Sequence, residues 1–166
     1  MTKRPLPGLP ILIVEDDEGT AELERRALTR SGRPVRIVGE VQAALDLLLR
    51  EDFAAVLLDY NLPDGDPWLI LDACQAKEPR IPVVIVTGMG NERVAAEALH
   101  RGVDEYLRKS ESFWDQLPGI VDRVSRLANA ETSLRKEQEL LTESQRLARL
   151  GSWEWDIPSN RVIWSE

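Results

Sequence analysis

Short runs of aliphatic, mostly β-branched residues recur at nearly even intervals along this chain: "ILIV" (11–14), "VRIV" (35–38), "AAVLL" (54–58) and "VVIV" (83–86). Such runs are too short for helices, and they read as strands buried on both faces. A weaker fifth, "EYLRK", occupies 105–109. Between them the apolar residues return at helical spacing. Leu23, Ala27 and Leu28 carry the first helix; Ala44, Leu45, Leu48 and Leu49 the second; Leu69, Ile70 and Ala73 the third; Val94, Ala95, Ala98 and Leu99 the fourth. Asp66 stands where the third helix would take its N-cap, with Pro67 at its first position. Alternating strands and helices dictate an α/β fold with a parallel sheet covered on both faces. With right-handed crossovers, the expected architecture is flavodoxin-like: five parallel strands in the order 2-1-3-4-5.

Ligands of such sheets sit beyond the carboxyl ends of the strands. There the chain presents Glu15, Asp16 and Asp17 after the first strand, Asp59 at the third, Thr87 at the fourth and Lys109 at the fifth. Two carboxylates at 4 Å repel by about 4 kcal/mol at an effective dielectric of 20. A hard divalent cation such as Mg²⁺ relieves that repulsion with oxygen ligands alone. The lysine adds a second positive charge and Thr87 a hydroxyl. A phosphoryl group suits this rim, with Asp59 as the nucleophile. Nearby groups have plainer readings. Asp17 and Glu18 are acids at a helix N-terminus, Asp64-Gly65-Asp66 is a turn rather than a calcium loop, Cys74 is a packing residue, and His100 is a surface residue.

The motifs "ILIVEDDE", "VLLDYNLPDG", "VVIVTG" and "YLRKS", in this order, resemble the receiver domain of two-component response regulators over roughly residues 9 to 128. The resemblance implies that Asp59 is the phosphoacceptor and that Glu15 and Asp16 form the acidic pair. Asp16, Asp59 and the backbone carbonyl of Asn61 would hold Mg²⁺, and Thr87 and Lys109 would contact the phosphoryl oxygens. Tyr106 would be the aromatic that changes rotamer as Thr87 is drawn in. Asn61 and Met89 fall two residues beyond the acceptor and the threonine, where the family tunes phosphoryl lifetime; an apolar Met89 cannot orient an attacking water. One residue departs from the pattern: the family's usual proline after the lysine, often cis, is Ser110 here. A cis bond without proline costs about 3–4 kcal/mol, so a trans bond and a slightly repositioned Lys109 are expected.

Residues 117–150 continue as helix for about 51 Å at 1.5 Å per residue. Ile120, Val124, Leu127, Leu134, Leu141 and Ala148 fall on a heptad seam broken by Glu131, Gln138 and Gln145. A parallel homodimer through residues 120–148 is the expectation. Gly151 offers a helix stop, after which "SWEWDI" and "RVIWSE" read as a hairpin. The stretch "RLARLGSWEWDI…VIWSE" resembles the opening of a PAS sensor domain, so the chain is expected to hold only the start of that domain. The resulting division is 1–128 receiver, 129–150 coiled-coil linker and 151–166 PAS-like start.

Composition narrows the partners. A formal net charge of −8 with no basic stripe argues against nucleic acid as a direct partner. No apolar run approaches the roughly 18 residues that would span a bilayer, and the N-terminus has no apolar signal core. A single cysteine suits a reducing cytoplasm. The resemblance names a histidine kinase or phosphotransfer protein as phosphoryl donor, and it implies no catalysis beyond the chain's own phosphorylation and dephosphorylation. Two alternatives stand beside it. The receiver would regulate a histidine kinase or diguanylate cyclase whose catalytic domain is not in this sequence. Or the chain would be a phosphatase of the haloacid-dehalogenase type, although Asn61 stands where that family wants a second aspartate.

Overall fold

The computed structural model describes residues 8–88, 92–110, 112–147, 153–156 and 161–164. In chain order the elements are β1 (Ile11–Val14), α1 (Glu18–Thr29), β2 (Val35–Val38), α2 (Val41–Arg50), β3 (Ala55–Asp59), α3 (Trp68–Gln75), β4 (Val83–Thr87), α4 (Glu92–His100), β5 (Glu105–Arg108), α5 (Phe113–Leu147), β6 (Trp153–Asp156) and β7 (Arg161–Trp164). The first five strands pair in parallel in the order β2-β1-β3-β4-β5, the expected flavodoxin-like topology. β6 and β7 form a separate antiparallel hairpin, with Trp153 opposite Trp164. Chain contacts divide the protein into two units, Met1–Asn129 and Ala130–Glu166, and α5 contributes to both.

Side-chain alternation along the strands builds two cores. Leu12, Val14, Val56, Leu58, Val83 and Ile85 pack on one face with residues of α2 and α3 and with Ala98 of α4. Ile11, Ile13, Ala55, Leu57, Val84 and Val86 pack on the other with α1 and the first part of α5. The three central strands are buried on both faces, as runs without alternation require. β2 and β5, at the edges, are only partly covered.

The helices present narrower apolar faces than their leucine content suggests. α1 buries Ala21, Glu24, Ala27 and Leu28, while Leu23 is exposed. Leu49, Leu69 and Leu99 are likewise exposed, and of α4 only Ala98 is buried. α3 begins at Trp68, one residue later than expected. Asp66 still caps it, since its Oδ1 accepts the Trp68 N–H at 3.0 Å. α5 starts at Phe113, four residues before the expected helix, and Ala148 and Gly151 lie outside the described residues. Val124, placed on the dimer seam, is instead buried in the chain's own core beside Phe113, Leu117 and Val121. The exposed seam therefore begins at Leu127 and continues through Leu134 and Leu141.

Truncating Leu57, which is 1% exposed between the central strands, should cost about 2–5 kcal/mol as Leu57→Ala. Leu49→Ala, at 82% exposure, should stay within about 0.5 kcal/mol. Urea unfolding of both variants measures the contrast.

Candidate functional site

Two strand ends and the residues just after two other strands supply the site. Glu15 follows β1, Asp59 closes β3, Thr87 closes β4 and Lys109 follows β5. Backbone pairing holds these ends at one level: the Glu15 N–H donates to Val38 O (2.9 Å), Tyr60 N–H to Val86 O (3.2 Å) and Lys109 N–H to Thr87 O (2.9 Å). Among the described residues the cis peptide is Glu78–Pro79, so Lys109–Ser110 is trans. The lysine nevertheless reaches the acids. Its Nζ lies 2.5 Å from Glu15 Oε2 and 3.5 Å from Asp59 Oδ1.

Glu15 is fixed at both oxygens, since Oε1 accepts the Asp17 N–H at 3.1 Å. Oxygen atoms of Glu15, Asp16 and Asp59 all lie within 4.8 Å of one another. Glu15 and Asp59 are buried and Asp16 is exposed, so the cluster is reached from Asp16's side. An all-oxygen set of carboxylates at this spacing fits a small hard cation. Asp17 is engaged elsewhere, because its Oδ1 accepts the Thr20 N–H at 2.7 Å as the N-cap of α1.

Burial pushes the Asp59 carboxyl up from its ordinary range; Lys109 opposes this by charge and hydrogen bond, and Glu15 and Asp16 reinforce it. For Lys109, burial favours the neutral amine. The Glu15 hydrogen bond and the charges of Asp59, Glu15 and Glu24 outweigh that and hold the ammonium above its usual range.

The remaining expected residues are placed as follows. Thr87 is buried and Tyr106 half-buried, and both belong by alternation to the face that packs on α2–α4. The Tyr106 hydroxyl is buried with no hydrogen-bond partner. Asn61 is exposed in the loop after β3. Met89 lies outside the described residues. His100 is exposed and Cys74 buried; burial pushes the Cys74 thiol up to about 12, which makes it inert as a nucleophile.

Two functional placements escape a reading by motif. Asp64, taken as a turn residue, reaches across to α2, where its Oδ1 accepts the Val41 N–H at 2.9 Å and Oδ2 the Gln42 N–H at 3.3 Å. It caps a helix whose own N-cap residue, Glu40, makes no side-chain bond, and so ties the loop after Asp59 to the sheet's flank. Glu24 is the other. It is 1% exposed on the core face of α1, its Oε2 has no hydrogen-bond partner, and its carboxyl is pushed up to about 8, by burial first and then by Glu15. The signal was present in the spacing: Ala21, Glu24 and Leu28 share one helical stripe, with an acid where an apolar residue is due.

A family profile described as "response regulator receiver domain" matches residues 11–117. The chain is 31% identical over 93% of its length to a probable transcriptional regulatory protein, SilR, of Salmonella typhimurium, and the match covers 62% of that protein. The chain thus spans about three fifths of this relative. A CheY-like receiver domain of Methanospirillum hungatei JF-1 superposes with a TM-score of 0.65 at 26% identity, covering 75% of this chain and 99% of that one. A phosphorylated cyanobacterial phytochrome response regulator, RcpA, gives a TM-score of 0.59 at 26% identity, covering 74% and 95%.

Glu24 makes stability depend on pH in a defined direction. Its carboxyl titrates near 8 when folded against 4.5 as the ordinary value, so the folded state holds the extra proton between those limits. The stability contributed by protonated Glu24 is complete below about pH 4.5 and is lost as pH rises toward 8. Glu24→Leu should remove this slope, with little change in pH dependence below pH 4.5 and a relative gain on the order of a few kcal/mol by pH 8. Chemical denaturation of both proteins across that range measures the difference.

Proposed function

The chain belongs to the response regulator receiver domain family, and on that premise we propose that it accepts a phosphoryl group on Asp59 and passes the change to a dimeric helical linker. The observation that carries this reading is the Lys109 ammonium placed between Glu15 and Asp59, with Asp16 beside them. The donor is a phosphohistidine of a histidine kinase or phosphotransfer protein. An Asp59 carboxylate oxygen attacks phosphorus, the P–N bond breaks as the P–O bond forms, and the leaving imidazole takes a proton from solvent. Asp59 must be ionised to attack. Burial opposes that and the Lys109 charge favours it.

Lys109 and the Thr87 hydroxyl would then hold the phosphoryl oxygens, with Asn61 and Met89 setting how long the phosphoaspartate survives. Asp16, Asp59 and the carbonyl of Asn61 would hold Mg²⁺. When bound, the ion neutralises charge developing on the phosphoryl oxygens. Asp17 takes no part, because the N-terminus of α1 already engages its carboxylate. Drawing Thr87 toward the phosphoryl group would reposition Tyr106, whose unpartnered hydroxyl is free of any hydrogen bond that would resist the move.

Along α5, Leu127, Leu134 and Leu141, at 56%, 56% and 61% exposure, repeat every seven residues and form the seam of a parallel homodimer. The β6–β7 hairpin is the opening of a PAS-like domain, and the output of the whole protein lies with that domain or a catalytic module beyond it. A haloacid-dehalogenase phosphatase finds no support here. The family match is to receivers, and Asn61 stands where the second aspartate belongs.

Incubation with acetyl phosphate and Mg²⁺, followed by intact-mass and peptide mapping, should place one phosphoryl group on Asp59. Labelling should vanish in Asp59→Ala and on removing the divalent cation with a chelator; undiminished labelling of Asp59→Ala overturns the assignment. The linker reading is tested by solution mass. The chain should be a dimer, and the double substitution Leu134→Lys, Leu141→Lys should leave a monomer with the receiver still labelled.

A further inference from the structure

Glu24 is a buried titratable group that phosphoryl transfer to Asp59 does not use, and the fold places it under the site. Ile11 and Ile13 of β1, Ala55 and Leu57 of β3, and Leu107 of β5 pack on the face that α1 and α5 cover. Glu15, Asp59 and Lys109 continue those three alternations by two residues each. The acids and the ammonium therefore finish on the side of the sheet that carries Glu24. Along α1, Glu24 lies seven residues from Asp17 at the rim, about 10 Å of helical rise. Glu15 and Asp59 act on its charge from the strand ends and Lys109 from the loop after β5. Glu24 acts in turn on Lys109. Among the described residues, no charged group of α5 bears on it; the α5 side chains packed on this face are Phe113, Leu117, Val121 and Val124, with Trp114 at its edge.

Lys109 is the part that such a group can control. Its Nζ is already closer to Glu15 (2.5 Å) than to Asp59 (3.5 Å), so the ammonium leans toward β1 and away from the acceptor. We propose that Glu24 is a positioning residue for Lys109: as a neutral carboxyl it leaves the ammonium free to swing to Asp59 and an arriving phosphoryl group, and as a carboxylate it draws the ammonium back toward α1. The receiver's acceptance of phosphoryl groups is thereby gated by proton concentration. This rests on the phosphoacceptor reading of Asp59.

The surrounding charges give the direction. Burial and the charges of Glu15 and Asp59 keep the proton on Glu24, Lys109 opposes them, and the balance falls at about 8. A divalent cation bound by Asp16 and Asp59 adds positive charge nearby and moves that balance to lower pH. Loss of the proton above this point strengthens the inward pull on Lys109.

Two measurements on the 166-residue chain separate this proposal from the reading on which it rests. The first follows the Lys109 Nζ resonance by NMR from pH 6 to 9.5, without and with Mg²⁺. The wild-type protein should show a step near pH 8 that Mg²⁺ moves downward, and both Glu24→Gln and Glu24→Leu should lack it. The second is the pH profile of labelling by acetyl phosphate with Mg²⁺. Because Mg²⁺ moves the transition downward, the wild-type rate should fall several-fold between pH 6 and 9, whereas Glu24→Gln, which mimics the protonated group, should stay within about twofold. A residue that mattered only for packing would change stability in these variants and leave both pH profiles unmoved. An Nζ step that survives in both variants, or wild-type and Gln rate profiles that coincide, overturns the proposal. If the wild-type protein takes no label at any pH, the phosphoacceptor reading fails, and the Nζ step alone decides whether Glu24 controls Lys109.

Discussion

The site is organised by an ammonium placed among acids. A parallel sheet in the order 2-1-3-4-5 brings its strand ends to one rim, and here three carboxylates arrive within 4.8 Å of one another. Without positive charge that arrangement would oppose folding by several kcal/mol at an effective dielectric of about 20. Lys109 supplies the charge from the far side of the sheet, with a sequence separation of 94 residues from Glu15. Its reach depends on β4, because the Lys109 N–H is held by Thr87 O. The lysine also leaves charge uncompensated, since one ammonium faces three acids. That remainder is what a divalent cation or a proton must meet.

The sheet was legible in the sequence because a strand buried on both faces leaves nothing to decode except apolarity. The runs at 11–14, 55–58 and 83–86 are fully buried, and each ends on or next to a residue of the site. The helices were less legible, for a physical reason. Against a flat sheet a helix buries a narrow stripe, and α4 needs only Ala98 to do so. Leucines beside the stripe, such as Leu23, Leu49, Leu69 and Leu99, satisfy helical spacing without reaching the core. Glu24 is the converse case. An acid there is not expected in a core, yet its position, one turn from both Ala21 and Leu28, puts it inside.

Beyond the sheet, local pattern and long-range packing part company. The seam read along α5 is periodic from Ile120 onward, yet Val121, Val124 and Ala128 are buried before Asn129. Spacing cannot tell a helix face that meets its own sheet from one that meets a second chain. Burial separates them, and the change falls where the two compact units divide. The hairpin strands were found by alternation and turn signals alone; their register, Trp153 against Trp164, comes from the backbone pairing and not from the pattern.

The two faces of the sheet carry different kinds of information. Thr87 and Tyr106 lie by alternation on the face that packs on α2–α4, whereas Glu15, Lys109 and Glu24 lie on the face covered by α1 and α5. Asp59 continues the Ala55–Leu57 alternation and so ends on this second face as well. In the proposed mechanism, movement of Thr87 and Tyr106 transmits the phosphorylated state on one side, and the disposition of Lys109 governs readiness for phosphorylation on the other. Separation has a consequence for coupling. On these proposals, a proton on Glu24 would change charge on the α1 face without occupying the space that Tyr106 would enter, and so would alter the rate of acceptance while leaving the response to acceptance intact. One buried carboxyl then tunes input without competing with output, which a group placed between Thr87 and Tyr106 could not do.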